Sequence, residues 1–119
     1  RLKLGDLCLD SFPFSGATSL LGPLQIGLPA VAIDGSCFRN LVAPAILREL
    51  GVPELVADST EAYVALACRL AADGESRRKL RETITAQMRR HPRFLNSRWY
   101  AGQAGEKLRE MWEACGPKA

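Results

Sequence analysis

Short apolar runs between turn signals fill the first half of the chain, and helical periodicity fills the second. Asp6–Asp10 (DLCLD), apolar between two acids, predicts a short buried strand. Ser11–Gly16 (SFPFSG) reads as a loop, because Pro13 and Gly16 break any ladder. Thr18–Ile26 can form a short helix, with Pro23 either in its first turn or bending it. Pro29–Ile33 (PAVAI) predicts a second strand, opened by a proline where a missing N–H is tolerated. Asp34–Gly35 is a turn. Phe38–Leu50 predicts a helix with Leu41, Ala45 and Leu47 inward and Gly51 as its stop. Glu54–Ala57 reads as a third short strand. Ser59 opens a helix to about Ala72, with Ala62 where a full capping box would have an acid. Glu75–Arg90 is helical with Leu80, Ile84 and Met88 on one face, and Ser97 to about Ala114 is the last helix.

Strands alternating with helices, then helices alone, predict an α/β fold. The expectation is a partial Rossmann-like parallel sheet of about three strands, with helices on its faces and a helical C-terminal half. Residues 1–58 would build the sheet, and residues 59–119 would pack on it. The first strand, Leu7-Cys8-Leu9, is apolar on both sides, the composition of an interior strand. An interior strand needs two neighbours. Either an N-terminal portion precedes it or a partner covers the open edge, and self-association through that edge is the expected alternative. The chain opens on Arg1 without a leader pattern, so the simplest reading is a piece of a longer protein.

Composition narrows the classes. With 119 residues, 47% apolar and 24% charged, the chain has the proportions of one small globular domain. Its net charge of +3 is uneven: residues 1–59 carry four basic and six acidic groups, residues 60–119 twelve and seven. The run Arg77, Arg78, Lys79, Arg81, Arg89, Arg90 and Arg93 could suggest nucleic acid. Glu75 with Lys79 and Arg78 with Glu82 stand at i,i+4 spacing, however, and the apolar stripe faces away. A solvated helix face is the better reading, and no nucleic-acid partner is expected. Phe94, Trp99, Tyr100 and Trp112 space like helix-packing anchors rather than a base-stacking platform. The near-apolar stretch Leu20–Ile33 is interrupted by Gly22, Pro23, Gln25, Gly27 and Pro29 and predicts no membrane span. Four scattered cysteines and the single His91 give no metal-ligand spacing, so no metal is expected. The cysteines read as buried or half-buried free thiols in a reducing cytoplasm. No repeat of solenoid period is visible.

The candidate chemistry lies in Ser15-Gly16-Ala17-Thr18-Ser19, between the first strand and the first helix. Open α/β sheets bind ligands at such loops. A helix N-terminus presents free N–H groups and a positive dipole end to phosphate. Gly16 permits close backbone approach, and Thr18 and Ser19 add hydroxyls. The alternative is a plain helix cap with a tight turn. Asp10 either contacts a ligand or caps a loop N–H, the latter being favoured. Asp34-Gly35-Ser36, after the second strand, opens toward the same edge and either lines a donor cleft or is an ordinary turn. Arg39 could neutralise a phosphate, though a surface helix arginine is commoner.

The run DLCLDSFPFSGATSLLGPLQIGLPAVAIDG, followed by FRNLVAPAILRELGVPELVADSTEAYVALACRLAAD, resembles the C-terminal part of the SPINDLY and O-linked N-acetylglucosamine transferase family. The likeness runs from about Asp6 to Leu108, on a pattern of strand–LD–(T/S)–P–x–(N/S)–G–x–T–(T/S) and later blocks. It implies the two-lobed glycosyltransferase B architecture, whose C-terminal lobe binds the nucleotide of a UDP-sugar without a metal or other cofactor. Gly16 and the Thr18-Ser19 pair match the family's diphosphate-holding glycine and hydroxyls. Ala17 stands where the family often has His. Gly22 stands where it commonly has an Asp for the ribose hydroxyls. A buried sugar hydroxyl left unpaired costs about 1–3 kcal/mol, so either another residue substitutes, UDP binding weakens, or the donor differs. The family's uracil-binding residues, diphosphate lysine and catalytic histidine have no counterpart here, and no general base is evident.

The resemblance therefore implies part of a cytoplasmic, inverting protein glycosyltransferase, inactive in isolation. Its partners would be a UDP-sugar, a protein acceptor and an upstream lobe with tetratricopeptide repeats. The alternative is a non-catalytic scaffold module keeping the same fold. A basic nucleic-acid binder ranks last.

Overall fold

The computed structural model describes residues 5–116. Three parallel strands, β1 (Cys8–Leu9), β2 (Ala30–Ile33) and β3 (Val56–Ala57), form one sheet in the order β1-β2-β3. Cys8 and Leu9 stand opposite Ala30 and Val31, and Ala32 and Ile33 opposite Val56 and Ala57. Helices α1 (Thr18–Gln25) and α2 (Phe38–Glu49) connect the strands. Then come α3 (Thr60–Ala72), α4 (Gly74–Arg89) and α5 (Ser97–Cys115). The third strand is shorter than its sequence suggests because Pro53–Leu55 winds into a 3-10 turn first.

Composition makes the first strand an interior one, but β2 holds the centre. All four β2 residues are buried, whereas Leu9 is 58% exposed, and among the described residues β1 pairs only with β2. The core gathers Leu20 and Leu24 of α1, the β2 side chains, Leu47 of α2, Leu50, Val52 and Leu55, with Ile84 of α4. In α1 the buried residues are Leu20, Pro23 and Leu24, an i, i+3, i+4 stripe. Pro23 lies beyond the first turn.

The inward face of α2 differs from the one its apolar residues suggest. Leu41 and Ala45 are exposed; Asn40, Ala43, Pro44, Ile46 and Leu47 are buried. The phase is set by a polar residue, since Asn40 turns inward and its Oδ1 accepts the N–H of Cys37 at the helix start.

Both α1 and α2 end in one device. Gly27 (φ 74°) donates to Leu24 O and Leu28 to Pro23 O; Gly51 (φ 72°) donates to Arg48 O and Val52 to Leu47 O. These are Schellman caps, each followed by an apolar residue buried against the helix and then a proline that ends it. The sequence carries this as GLPAVAID at 27–34 and GVPELVAD at 51–58, so the helix–cap–strand unit does recur, against the expectation that no repeat of such a period is present.

The two glycines differ in surroundings. A Cβ at Gly51 would meet nothing, while one at Gly27 would strike Thr85 Oγ1 and Arg81 of α4. Gly51→Ala is expected to cost about 1–2 kcal/mol, the left-handed backbone penalty alone. Gly27→Ala should cost at least about 1 kcal/mol more, because overpacking adds to that penalty. Urea midpoints measured side by side check the difference, and equal losses would contradict it.

The second half leaves the core progressively. Leu70, Leu80 and Ile84 are buried, and Ser59 Oγ accepts Ala62 N–H as the expected cap of α3. Lys79 and Glu75 form the expected i,i+4 pair at 2.9 Å. No residue of α5 is buried, and the chain extends to 65 × 31 × 23 Å. Trp99, Tyr100 and Trp112 are exposed rather than packed as anchors. Cys68 and Cys115 are exposed free thiols, against the expectation of burial; Cys8 and Cys37 are half-buried. No described helix is long and apolar enough to cross a membrane.

Candidate functional site

Parallel strands put the loops after β1, β2 and β3 at one end of the sheet, where ligands of open α/β folds sit. The β1–α1 loop is held at both ends. At its start, Asp10 N–H donates to Val31 O at 2.9 Å, and Asp10 O accepts the Tyr63 hydroxyl of α3 at 2.9 Å. Burial first, then the Asp10 and Cys8 charges, push the Tyr63 phenol above its ordinary pKa, so it stays a donor at neutral pH. Asp10 Oδ1 accepts the Gly16 N–H at 2.7 Å. Asp10 thus caps a loop N–H, as favoured from sequence.

At the far end, Ser15 is buried and inserted into α2. Its N–H donates to Arg39 O at 2.9 Å, and its Oγ accepts Ala43 N–H at 2.9 Å. In an unbroken helix Ala43 would donate to Arg39 directly. Pro44, next in the chain, distorts the turn before it, and a side chain can enter the ladder at such a point. Ser15 therefore fastens the loop, and its oxygen is already engaged.

Beyond Gly16 the loop is open. Ala17 is the N-cap of α1 and makes no side-chain cap, and Leu20 N–H bonds Ala17 O at 3.1 Å. The N–H groups of Ala17, Thr18 and Ser19, and the hydroxyls of Thr18 and Ser19, have no hydrogen-bond partner among the described residues. All three residues are exposed. Three amides and two hydroxyls without a partner among the described residues thus stand at the positive end of α1, a set of donors that can take an anion.

The neighbouring 34–36 turn is more self-contained. Asp34 accepts from Gly35 N–H at 3.1 Å and forms an ion pair with Arg48, leaving Ser36 as its exposed member. Arg48 holds the Asp34 carboxyl below its usual pKa. A depressed acid contributes stability above its unfolded pKa and loses it as pH falls through the folded one. Asp34→Asn should therefore cost under about 1 kcal/mol at pH 7, as befits a solvent-screened pair, and nothing once pH is below the folded pKa. Thermal melts of both proteins across that range check the convergence.

Asn40 and Tyr63 shape the site without an obvious mark in the sequence. Asn40 stands at the third position of α2 as a cap and is traceable by that spacing. Tyr63 reaches a strand end 53 residues away and is not. Cavities are formed on other surfaces, one of about 520 Å³ between Phe38, Leu41, Phe94 and Trp99.

Residues 1–104 match the model of Glycosyl transferase family 41. The chain belongs to this family. The family 41 chain is 32% identical over 110 residues to a Petunia hybrida protein named Probable UDP-N-acetylglucosamine--peptide N-acetylglucosaminyltransferase SPINDLY, covering 92% of this chain and 12% of the relative. It is 31% identical over 113 residues to the Caenorhabditis elegans UDP-N-acetylglucosamine--peptide N-acetylglucosaminyltransferase, covering 95% and 10%. A mutant of the Thermobaculum terrenum O-GlcNAc transferase superposes with a TM-score of 0.80 at 30% identity, over 96% of this chain and 22% of that one. The chain thus spans about a tenth of the length of these curated relatives. The α/β sheet expected from sequence, with its helical second half, agrees with this neighbour.

Proposed function

We propose that this family 41 chain forms the part of a protein glycosyltransferase that holds the diphosphate of a UDP-sugar, the sugar passing to a protein side chain with inversion and without a metal. The observation that carries the reading is the trio of unpartnered amides at Ala17, Thr18 and Ser19, with two hydroxyls, on a loop pinned by Asp10 and Ser15. Charge develops on the leaving UDP as the glycosidic bond breaks. Fixed neutral donors and the α1 dipole oppose it at no reorganisation cost, the role a metal ion plays elsewhere. Ser15 and Gly16 shape this cradle, and Ala17, Thr18 and Ser19 touch the ligand. Ser36 is the member of the 34–36 turn available to the same cleft, Asp34 and Gly35 being used to build it. The base for the acceptor hydroxyl and the contacts to uracil come from polypeptide outside this chain, which also covers the free edge of β1 at Leu9.

Titration of the 119-residue chain with UDP, followed by amide NMR, tests the reading. Saturable shifts centred on Ala17, Thr18 and Ser19 are expected, with uridine alone binding more weakly. No shift there at millimolar UDP would overturn it in favour of a scaffold that keeps the fold.

A further inference from the structure

We infer that Asp10 is a positioning residue for the donor diphosphate: its carboxylate is the loop's resident anion, which preforms the cradle and restrains how tightly a diphosphate is held. The inference rests on the reading above and deepens it.

The carboxylate stands on a fixed base. Both backbone polar groups of Asp10 are engaged, N–H with Val31 O and C=O with the Tyr63 hydroxyl. Its Oδ1 lies 2.7 Å from Gly16 N, so one side chain closes the loop from residue 10 to residue 16. It also lies at the open mouth. A Cβ built on Gly16 would be 2.8 Å from Asp10 Oδ1 and 2.7 Å from Ser19 Oγ, so the carboxylate and a proposed ligand hydroxyl flank the same glycine.

Two effects of opposite sign follow. As an acceptor, Asp10 ties down Gly16 and fixes where the next three amides point, which favours binding. As a charge, it already occupies the positive end of α1 and repels an incoming phosphate. A like charge roughly 6 Å away in a partly screened site changes affinity by about five- to tenfold. The arrangement suits a donor whose product must leave: the amides stay aimed while the nucleotide diphosphate is held less tightly than they alone would hold it.

Asp10→Asn keeps the acceptor and removes the charge; Asp10→Ala removes both. UDP and uridine titrations of the 119-residue chain and both variants separate the effects, with Gly16 amide exchange as the measure of loop closure. Asp10→Asn should bind UDP about fivefold tighter with uridine unchanged, an outcome that a purely structural role does not produce. Asp10→Ala should lose Gly16 protection and bind UDP more weakly than Asp10→Asn. UDP binding to wild type and Asp10→Asn within twofold of each other, or weaker in the variant, overturns the inference and leaves the proposed function standing. Absence of UDP shifts in all three proteins overturns both.

Discussion

Gly35→Ala is expected to destabilise the chain by about 2–4 kcal/mol, a large loss for one methyl group. A Cβ at Gly35 would fall on the side chain of Asn40. Asn40 is 7% exposed and accepts the Cys37 N–H at 3.0 Å, so it has no free space to retreat into and cannot move without uncapping α2. The cost combines a lost cap, about 1 kcal/mol, with a buried amide stripped of its partners, about 1–3 kcal/mol. A double-mutant cycle identifies the cause. Asn40→Ala should itself be costly, but Gly35→Ala in that background should add little, because the colliding atoms are gone. Additive losses in urea denaturation would show that Gly35 matters for some other reason. The result bears on the site, because α2 receives Ser15 and so anchors the β1–α1 loop.

This pair also shows where sequence reasoning stops. Apolar spacing places Leu41 and Ala45 inward, yet the polar Asn40 takes the inner face and shifts the helix's phase. Hydrophobic periodicity cannot register a buried amide whose partner is a backbone N–H. The helices themselves are legible because glycine and proline punctuate them, and the loop at Ser15–Ser19 is legible because it follows a strand and opens a helix. Ser15 and Ser19 look alike in sequence, but one is fastened into α2 and the other is free. The gap that receives Ser15 beside Pro44 lies 28 residues away and is created only when the two segments meet. β1 misleads for a related reason. Its composition records apolar surroundings on both sides, and the described residues supply a strand on one side only. The Asn40 capping spacing and the twice-used Gly–apolar–Pro unit were present in the sequence, each too short to stand out from ordinary turn chemistry.

Gly16→Val should abolish most UDP binding, by tenfold or more, while leaving the fold nearly intact. The first valine carbon would sit 2.7 Å from Ser19 Oγ and 2.8 Å from Asp10 Oδ1. The Ser19 hydroxyl can rotate away. Asp10 cannot follow, because β2 and Tyr63 fix its backbone, so the Asp10–Gly16 hydrogen bond breaks. The branched methyls also enter the space an approaching phosphate would use. Stability should fall by only about 1–2 kcal/mol, one hydrogen bond to a charged group plus a small overlap at a partly exposed position. Calorimetry paired with UDP titration separates the two quantities. A variant that melts within a few degrees of wild type and binds UDP as well would mean that the α1 amides do not hold the diphosphate. A variant that melts normally but no longer binds places the ligand against the start of α1, where the Ala17, Thr18 and Ser19 amides are exposed and have no partner among the described residues.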